Sequence, residues 1–346
     1  MLRSEKRTPE GASYFLSESV LRRIRLWSCC CLLVVFVTLP LFAQDEPLQQ
    51  GPKLKISVNR VSVGVTVSDS HGRFLHDFER SDFRIYDNGA EQPIADFLPV
   101  DEPAQVLLLI EGGPSVLFFA KSHVLAADQM VASLAPNDRV AIATYTRGPE
   151  SVIDFTTDKT GARLALRAIS FAQGFGELNL FASVATAVDA LGAYPGKKTM
   201  VLLSTGVDTS PDVDWNVLLR KLQIADTRII AVSLSADIRK PAKKRGLSAE
   251  EKAKRKQLAA GFREGDQSLR NLSQATGGRV YFVRNEKEFA KTYAEIADLL
   301  RHEYSLAFVP PMLDGKIHEL RVEVNRAGAR VEHRPAYLAA PGGEAH

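Results

Sequence analysis

Thiols are almost missing from this 346-residue chain: its three cysteines, Cys29, Cys30 and Cys31, sit side by side near the N-terminus. From residue 32 onward there can be no disulfide, thiolate metal site or cysteine nucleophile. Histidine is scarce and scattered. His71, His76, His123, His302, His318, His333 and His346 show no His-Glu-x-x-His spacing, and no serine lies in a Gly-x-Ser-x-Gly elbow, so the common hydrolytic signatures are absent. An excess of one charge is lacking as well. The formal charge is +3, but the first 43 residues hold six Lys/Arg and three Asp/Glu, which leaves the remainder balanced at 38 against 38. A basic nucleic-acid footprint over the whole chain is thereby excluded.

What is present is ordinary globular material, 45% apolar, 8% aromatic and 25% charged, and long enough for one large domain or two modest ones. The one long apolar run, Leu26 to Phe42, follows Arg22, Arg23 and Arg25 and ends at Leu41-Phe42-Ala43 before Gln44. This reads as a signal peptide over residues 1–43, and hence as a periplasmic or secreted product. The run contains Pro40 and is short for a membrane span, so a cleaved signal is favoured over an anchor. Residues 44–53 are polar, with Pro47, Gly51 and Pro52, and read as a linker.

Residues 54–99 alternate. Ile56, Val58, Val61, Val63, Val65 and Val67 are spaced as on half-buried strands, and Phe83-Arg84-Ile85-Tyr86 before Asp87-Asn88-Gly89 marks a hairpin. Together they predict a small β module. From residue 104 to 302 the pattern changes to buried strands (Val106–Ile110, Val140–Tyr145, Thr199–Ser204, Arg228–Leu234, Val280–Val283) alternating with helical spacing (Ser115–Leu134, Lys159–Ile169, Leu180–Leu191, Asp214–Ala225, Ser268–Thr276, Glu286–Arg301). That alternation predicts an α/β fold, a doubly wound, mostly parallel sheet with helices on both faces. Sites in such sheets lie at the carboxyl ends of the strands, which directs attention to Glu111-Gly112-Gly113-Pro114-Ser115 and Ser204-Thr205-Gly206-Val207-Asp208.

The order of several stretches resembles von Willebrand factor type A (VWA) domains, and more narrowly the VWA-related proteins of Acidobacterial type. They are the β leader around Val63–Val67 and Asp82–Gly89, the strand and loop Val201–Thr209, the turn Ala275-Thr276-Gly277-Gly278-Arg279, and the closing segment from Tyr304 to Phe308. Typical A domains bind a divalent cation through Asp-x-Ser-x-Ser, a Thr from a second loop and an Asp from a Ser-Asp-Gly loop. Laid on that pattern, this chain has Glu111 for Asp, Gly113 for the first Ser, Ser115 for the second, Leu178 for Thr and Thr205 for the loop Asp. The extra methylene of Glu111 displaces its oxygens by roughly an ångström, which Mg²⁺ tolerates poorly. The resemblance therefore implies no metal cofactor and a non-catalytic, protein-binding module of adhesion or scaffold type. Its partner, a protein of the cell envelope or beyond, would be met by Glu111, Gly113, Ser115, Glu177, Asn179, Thr205 and Asp208. One alternative is a Mg²⁺- or Ca²⁺-dependent adhesion module using Glu111, Ser115, Glu177, Thr205 and Asp208 to hold a partner carboxylate. A hydrolase is the other.

Two further segments stand out. Between Arg239 and Lys256 nine Lys/Arg face two Glu. This basic insertion, placed at residues 237–266 and partly helical from Ala249 to Ala260, reads as a solvated segment that could meet an anionic surface. It lacks the interleaved aromatics that nucleic-acid binding would favour. Residues 303–340 hold two alternating stretches, Glu303–Val309 and His318–Asn325, expected to pair as a C-terminal β hairpin.

Overall fold

A computed structural model describes residues 60–113, 116, 120–171, 176–210, 212–235 and 248–340. The expected signal peptide and linker, Ser115 and residues 237–247 of the basic insertion lie outside them. Four strands come first: β1 (Val61–Ser68), β2 (Phe83–Asp87), β3 (Ala90–Gln92) and β4 (Ile94–Leu98). The central part runs β5 (Ala104–Glu111), α1 (Ala120–Ala132), β6 (Arg139–Tyr145), β7 (Pro149–Thr156), α2 (Lys159–Arg167), α3 (Leu180–Gly192), β8 (Lys197–Ser204), α4 (Trp215–Ile224), β9 (Thr227–Ser233), α5 (Ala249–Ala275), β10 (Val280–Phe282) and α6 (Glu286–Arg301). Four more strands close the chain: β11 (Glu303–Phe308), β12 (Ile317–Val324), β13 (Arg330–Glu332) and β14 (Ala336–Leu338).

The expected α/β fold is what forms. Six strands in the order β10-β9-β8-β5-β6-β7 make the central sheet, parallel throughout except for the antiparallel edge strand β7. The unbroken apolar run of β5 is explained by burial on both faces. Val106, Leu108 and Ile110 enter the core under α1, α2 and α6, while Leu107 and Leu109 enter the one under α3, α4 and α5. Helix starts follow local chemistry: the side chains of Asp158, Asn179, Asp214 and Asn285 each accept a first-turn N–H, and Ser248 forms a reciprocal capping box with Glu251.

The closing segment departs from expectation. β11 and β12 do not pair with each other as a hairpin. β11 lies between β1 and β4, and β12 between β2 and β14, so the two belong to separate four-stranded sheets, β13-β1-β11-β4 and β14-β12-β2-β3. The cause lies in the connection, where Pro310 and Pro311 provide no N–H for a tight turn. A larger reward lies across the gap: Val63, Val65, Tyr304, Leu306 and Phe308 meet Phe83, Ile85, Leu320 and Val322 in one core. The N-terminal module is thus half of a discontinuous sandwich that residues 303–338 complete. Its Asn-Gly hairpin forms between β2 and β3, with Asn88 at φ 47° and Gly89 at φ 83°, the positive values a type I′ turn requires.

The basic insertion also differs. Its described part is no interruption, because Ala249 to Ala275 is one continuous 27-residue helix.

Sandwich and central sheet are joined at the base of the sheet by buried charge. The carboxylate of Glu303, at the start of β11, lies 3.6 Å from the guanidinium of Arg228 on β9, and both side chains are at most 4% exposed. Thr199 on β8 donates to the same carboxylate at 3.4 Å, and Lys197 Nζ donates to the carbonyls of Pro99, Val100 and Glu303 at 3.3, 2.9 and 3.3 Å. Burial holds the Lys197 ammonium below its ordinary pKa. Room for Glu303 exists because residue 64 is glycine, since a Cβ there would overlap the carboxylate.

Glu303→Ala is therefore expected to leave Arg228 buried without a counter-charge and to lower unfolding stability by about 3–5 kcal/mol. The midpoint of urea unfolding measures this, and a shift near zero would show that the pair is not a joint.

Candidate functional site

The parallel strands end together, and β5, β6 and β8 bring their last residues to one point. Glu111 closes β5 with its side chain fully buried. Its Oε2 accepts from Thr205 N at 2.7 Å, Thr205 Oγ1 at 2.8 Å and Ser204 Oγ at 3.0 Å, and the Tyr145 hydroxyl lies 3.4 Å away. Tyr145 ends β6 and Ser204 ends β8, with their hydroxyls 2.6 Å apart, and Gly206 N donates to Ser204 Oγ at 2.8 Å. These bonds have one consistent direction: Gly206 and Tyr145 donate to Ser204, and Ser204 and Thr205 donate to Glu111. The extra methylene of Glu, compared with the Asp of the resembled pattern, lets the carboxylate reach across to the Thr205 loop.

The second oxygen, Oε1, is buried with no hydrogen-bond partner among the described residues. It faces Gly113, where an added Cβ would come within 3.4 Å of it and 3.1 Å of Leu178 Cδ2. Desolvation raises the carboxyl pKa above its ordinary value, and the donors from Thr205, Ser204 and Tyr145 oppose that rise. Desolvation together with the neighbouring Glu111 charge pushes the Tyr145 phenol well above its usual range, so Tyr145 stays a neutral donor.

The other expected site residues serve the first turn of α3. Asn179 caps it, donates through Nδ2 to Asp212 at 2.6 Å, and receives Ala182 N at 3.3 Å. Both Asp208 oxygens are engaged by backbone, Oδ2 by Phe181 N at 3.0 Å and Oδ1 by Ser210 N at 3.1 Å. Leu178, where the resembled pattern has Thr, is buried and exchanges hydrogen bonds with Thr209. Glu177 is exposed, and among the described residues it forms no hydrogen bond or ion pair. So Glu111 and Thr205 meet directly, Asn179 and Asp208 gather at α3, Gly113 is a spacer, and Glu177 stands apart.

Sequence reasoning overlooked Tyr145 and placed Ser204 in the candidate loop without giving it a role, although each is the last residue of a buried strand. It also missed the wall behind the loop. Gly206 (φ 77°) and Gly265 of α5 touch backbone to backbone, so closely that a Cβ on either would overlap the other strand of chain. Beside them Ser233 and Ser235 both donate to buried Asp266, at 2.7 and 2.6 Å. At the outer edge the half-buried rings of Phe181 and Trp215 lie 5.7 Å apart.

No protein-family model matches the chain, and no curated protein matches it in sequence. Solved structures do match. The conserved hypothetical protein BatB of Bacteroides thetaiotaomicron is 12% identical over 57% of this chain and 98% of its own, with a TM-score of 0.42. A von Willebrand factor type A protein from Catenulispora acidiphila is 13% identical over 74% and 73%, at 0.40. The vWF domain of the type V pili tip protein Mfa5 from Porphyromonas gingivalis is 19% identical over 33% and 43%, at 0.29. Scores of this size reflect partial overlap and identify no ligand or partner for this chain.

The geometry of Glu111 sets two expectations. Replacement by Ala strands two buried hydroxyls and an amide without an acceptor and should cost at least about 3 kcal/mol. Gln keeps an accepting oxygen and removes the buried charge. The folded state binds the Glu111 proton more tightly than the unfolded chain does, so its contribution to stability falls as pH rises above the ordinary carboxyl value of 4.5. Glu111→Gln should flatten that decline, and denaturant unfolding of both proteins from pH 4.5 upward checks it. A variant with an unchanged pH profile would contradict the assignment.

Proposed function

We propose that this chain is an exported, non-catalytic protein-binding module, a β sandwich carrying a VWA-like α/β domain whose cation site is degenerate. The observation that carries this reading is the saturation of Glu111 Oε2 by three donors from the chain itself. A divalent cation of this class needs six or more oxygens directed at one point. Donor by donor, the described residues do not fit one. The hydroxyls of Thr205 and Ser204 point their protons at Glu111, both oxygens of Asp208 accept backbone N–H groups, from Phe181 of α3 and from Ser210, Leu178 brings no side-chain oxygen, and Gly113 has no side chain. Protein N–H and O–H groups thus supply at Glu111 the positive charge that an ion would otherwise bring.

The non-catalytic reading is supported by the same direction of protons. Tyr145, Ser204 and Thr205 are hydroxyls gathered at the ends of β6 and β8, each is buried, and each hydrogen-bonds inside the knot, with no histidine among its partners in the described residues. Recognition would fall to the rim around it, where Phe181 and Trp215 offer aromatic area beside Glu177 and Asp208. Large rings at the centre of a contact commonly dominate its energy.

One observation favours the rival reading, cation-dependent adhesion: Glu111 Oε1 still has an open lone pair. Calorimetric titration with Mg²⁺, Ca²⁺ and Mn²⁺ separates the two. No saturable heat is expected, and any protein captured from the envelope fraction should stay bound in chelator and be lost with Phe181→Ala combined with Trp215→Ala. Micromolar cation binding abolished by Ser115→Ala would overturn the proposal. Turnover of ester, phosphate or peptide substrates would overturn its non-catalytic part.

A further inference from the structure

The N-terminal half of α5 is an exposed basic mast standing over the rim. Its direction is fixed at two levels: Gly265 touches Thr205 and Gly206 at the carboxyl end of β8, while Thr276 at its C-terminus receives Ile229 N at the start of β9. The helix therefore runs against the strands. At 1.5 Å per residue, the 16 residues from Ala249 to Gly265 carry its start about 24 Å beyond that contact. Described side chains from Ala249 to Leu258 are exposed, and burial begins at Phe262.

Lys252, Lys254 and Lys256 form no ion pair among the described residues. Lys252 and Lys256 are four residues apart and share a face, whereas Lys254 lies on the opposite one. The preceding sequence supplies five more cations, Arg239, Lys240, Lys243, Lys244 and Arg245. Leu258 is 56% exposed in the next turn.

We infer that this helix is an electrostatic contact for an anionic lipid bilayer, which it would meet with the loop rim turned toward the membrane. Charge complementarity and its distribution lead to that occupant. A folded acidic partner reads one stripe of a helix, at i, i+3, i+4 and i+7. Lysines on opposite sides suit a surface whose charges move laterally and surround the mast. Lysine heads on long stems attract such a surface without fixed geometry, and the attraction screens with salt. Nucleic acid is disfavoured because no aromatic side chain lies among the charges.

The test is flotation of the full chain with phosphatidylcholine vesicles, with and without phosphatidylglycerol. Comparing the two compositions cancels any affinity of the apolar segment Leu26–Phe42 for lipid. Binding is expected to be stronger with the anionic lipid. It should be reversed by salt, fall at least about tenfold when Lys252, Lys254 and Lys256 are all changed to Gln, and be retained when the three are changed to Arg. Circular dichroism confirms that the variants are folded. Equal binding to both vesicle types, or an unchanged Gln variant, would overturn the inference. So would salt-sensitive self-association or capture of an acidic protein that depends on the three lysines while vesicle binding does not.

Discussion

One oxygen atom organises the upper end of this molecule. Glu111 Oε2 gathers an amide and two hydroxyls from the end of β8, Tyr145 at the end of β6 joins them through Ser204, and the carboxylate itself ends β5. A buried carboxylate alone would be costly, and a buried hydroxyl without an acceptor would be costly as well. Bringing them together resolves both demands and fixes the register of three parallel strands at the edge where loops diverge. The close approach of Gly206 to Gly265 then sets α5 directly behind the loop. In consequence the loop after β8 has backbone on one side and a locked carboxylate on the other.

The lower end has its own constraint. Glu303, Arg228, Lys197 and Thr199 bind the start of β11 to the starts of β8 and β9, so the sandwich and the sheet share a charged, water-poor junction. Buried pairs of this kind add little net stability over apolar packing, but they penalise any arrangement that separates the partners. Gly277 and Gly278 work at the same level: residue 277 packs on the backbone of Arg334, residue 278 on the carbonyl of Ile229. With both ends secured, the proposed recognition surface is the rim between α3, α4 and the basic start of α5.

Much of this was legible in the sequence. Val106 to Ile110 announced a strand covered on both faces, Asn88-Gly89 announced its turn, and Asp214 and Asn179 stood where helices begin. Three things were not legible. β7 carries Glu150 and Asp154 on an edge strand, where polar residues blur the apolar signal. The partners of β11 and β12 lie some two hundred residues away, and pairing at that distance is decided by the shared apolar core rather than by any local pattern. The helical stretches expected at Ala249–Ala260 and Ser268–Thr276 are one helix, α5, and the glycine at 265 inside it lets its backbone touch the Thr205 loop. At the site, the substitutions at Glu111, Leu178 and Thr205 were visible as departures from the VWA pattern. What replaced that pattern was hidden, because Tyr145 joins the group from a strand that carries no motif.

The account stands on Glu111 being satisfied from within. A crystal structure of the protein grown in calcium tests this most directly. The expected map shows Thr205 and Ser204 still bonded to Glu111 Oε2 and no cation beside the carboxylate. An ordered ion about 2.4 Å from Glu111 Oε1, with Thr205 or Asp208 turned to meet it, would contradict it.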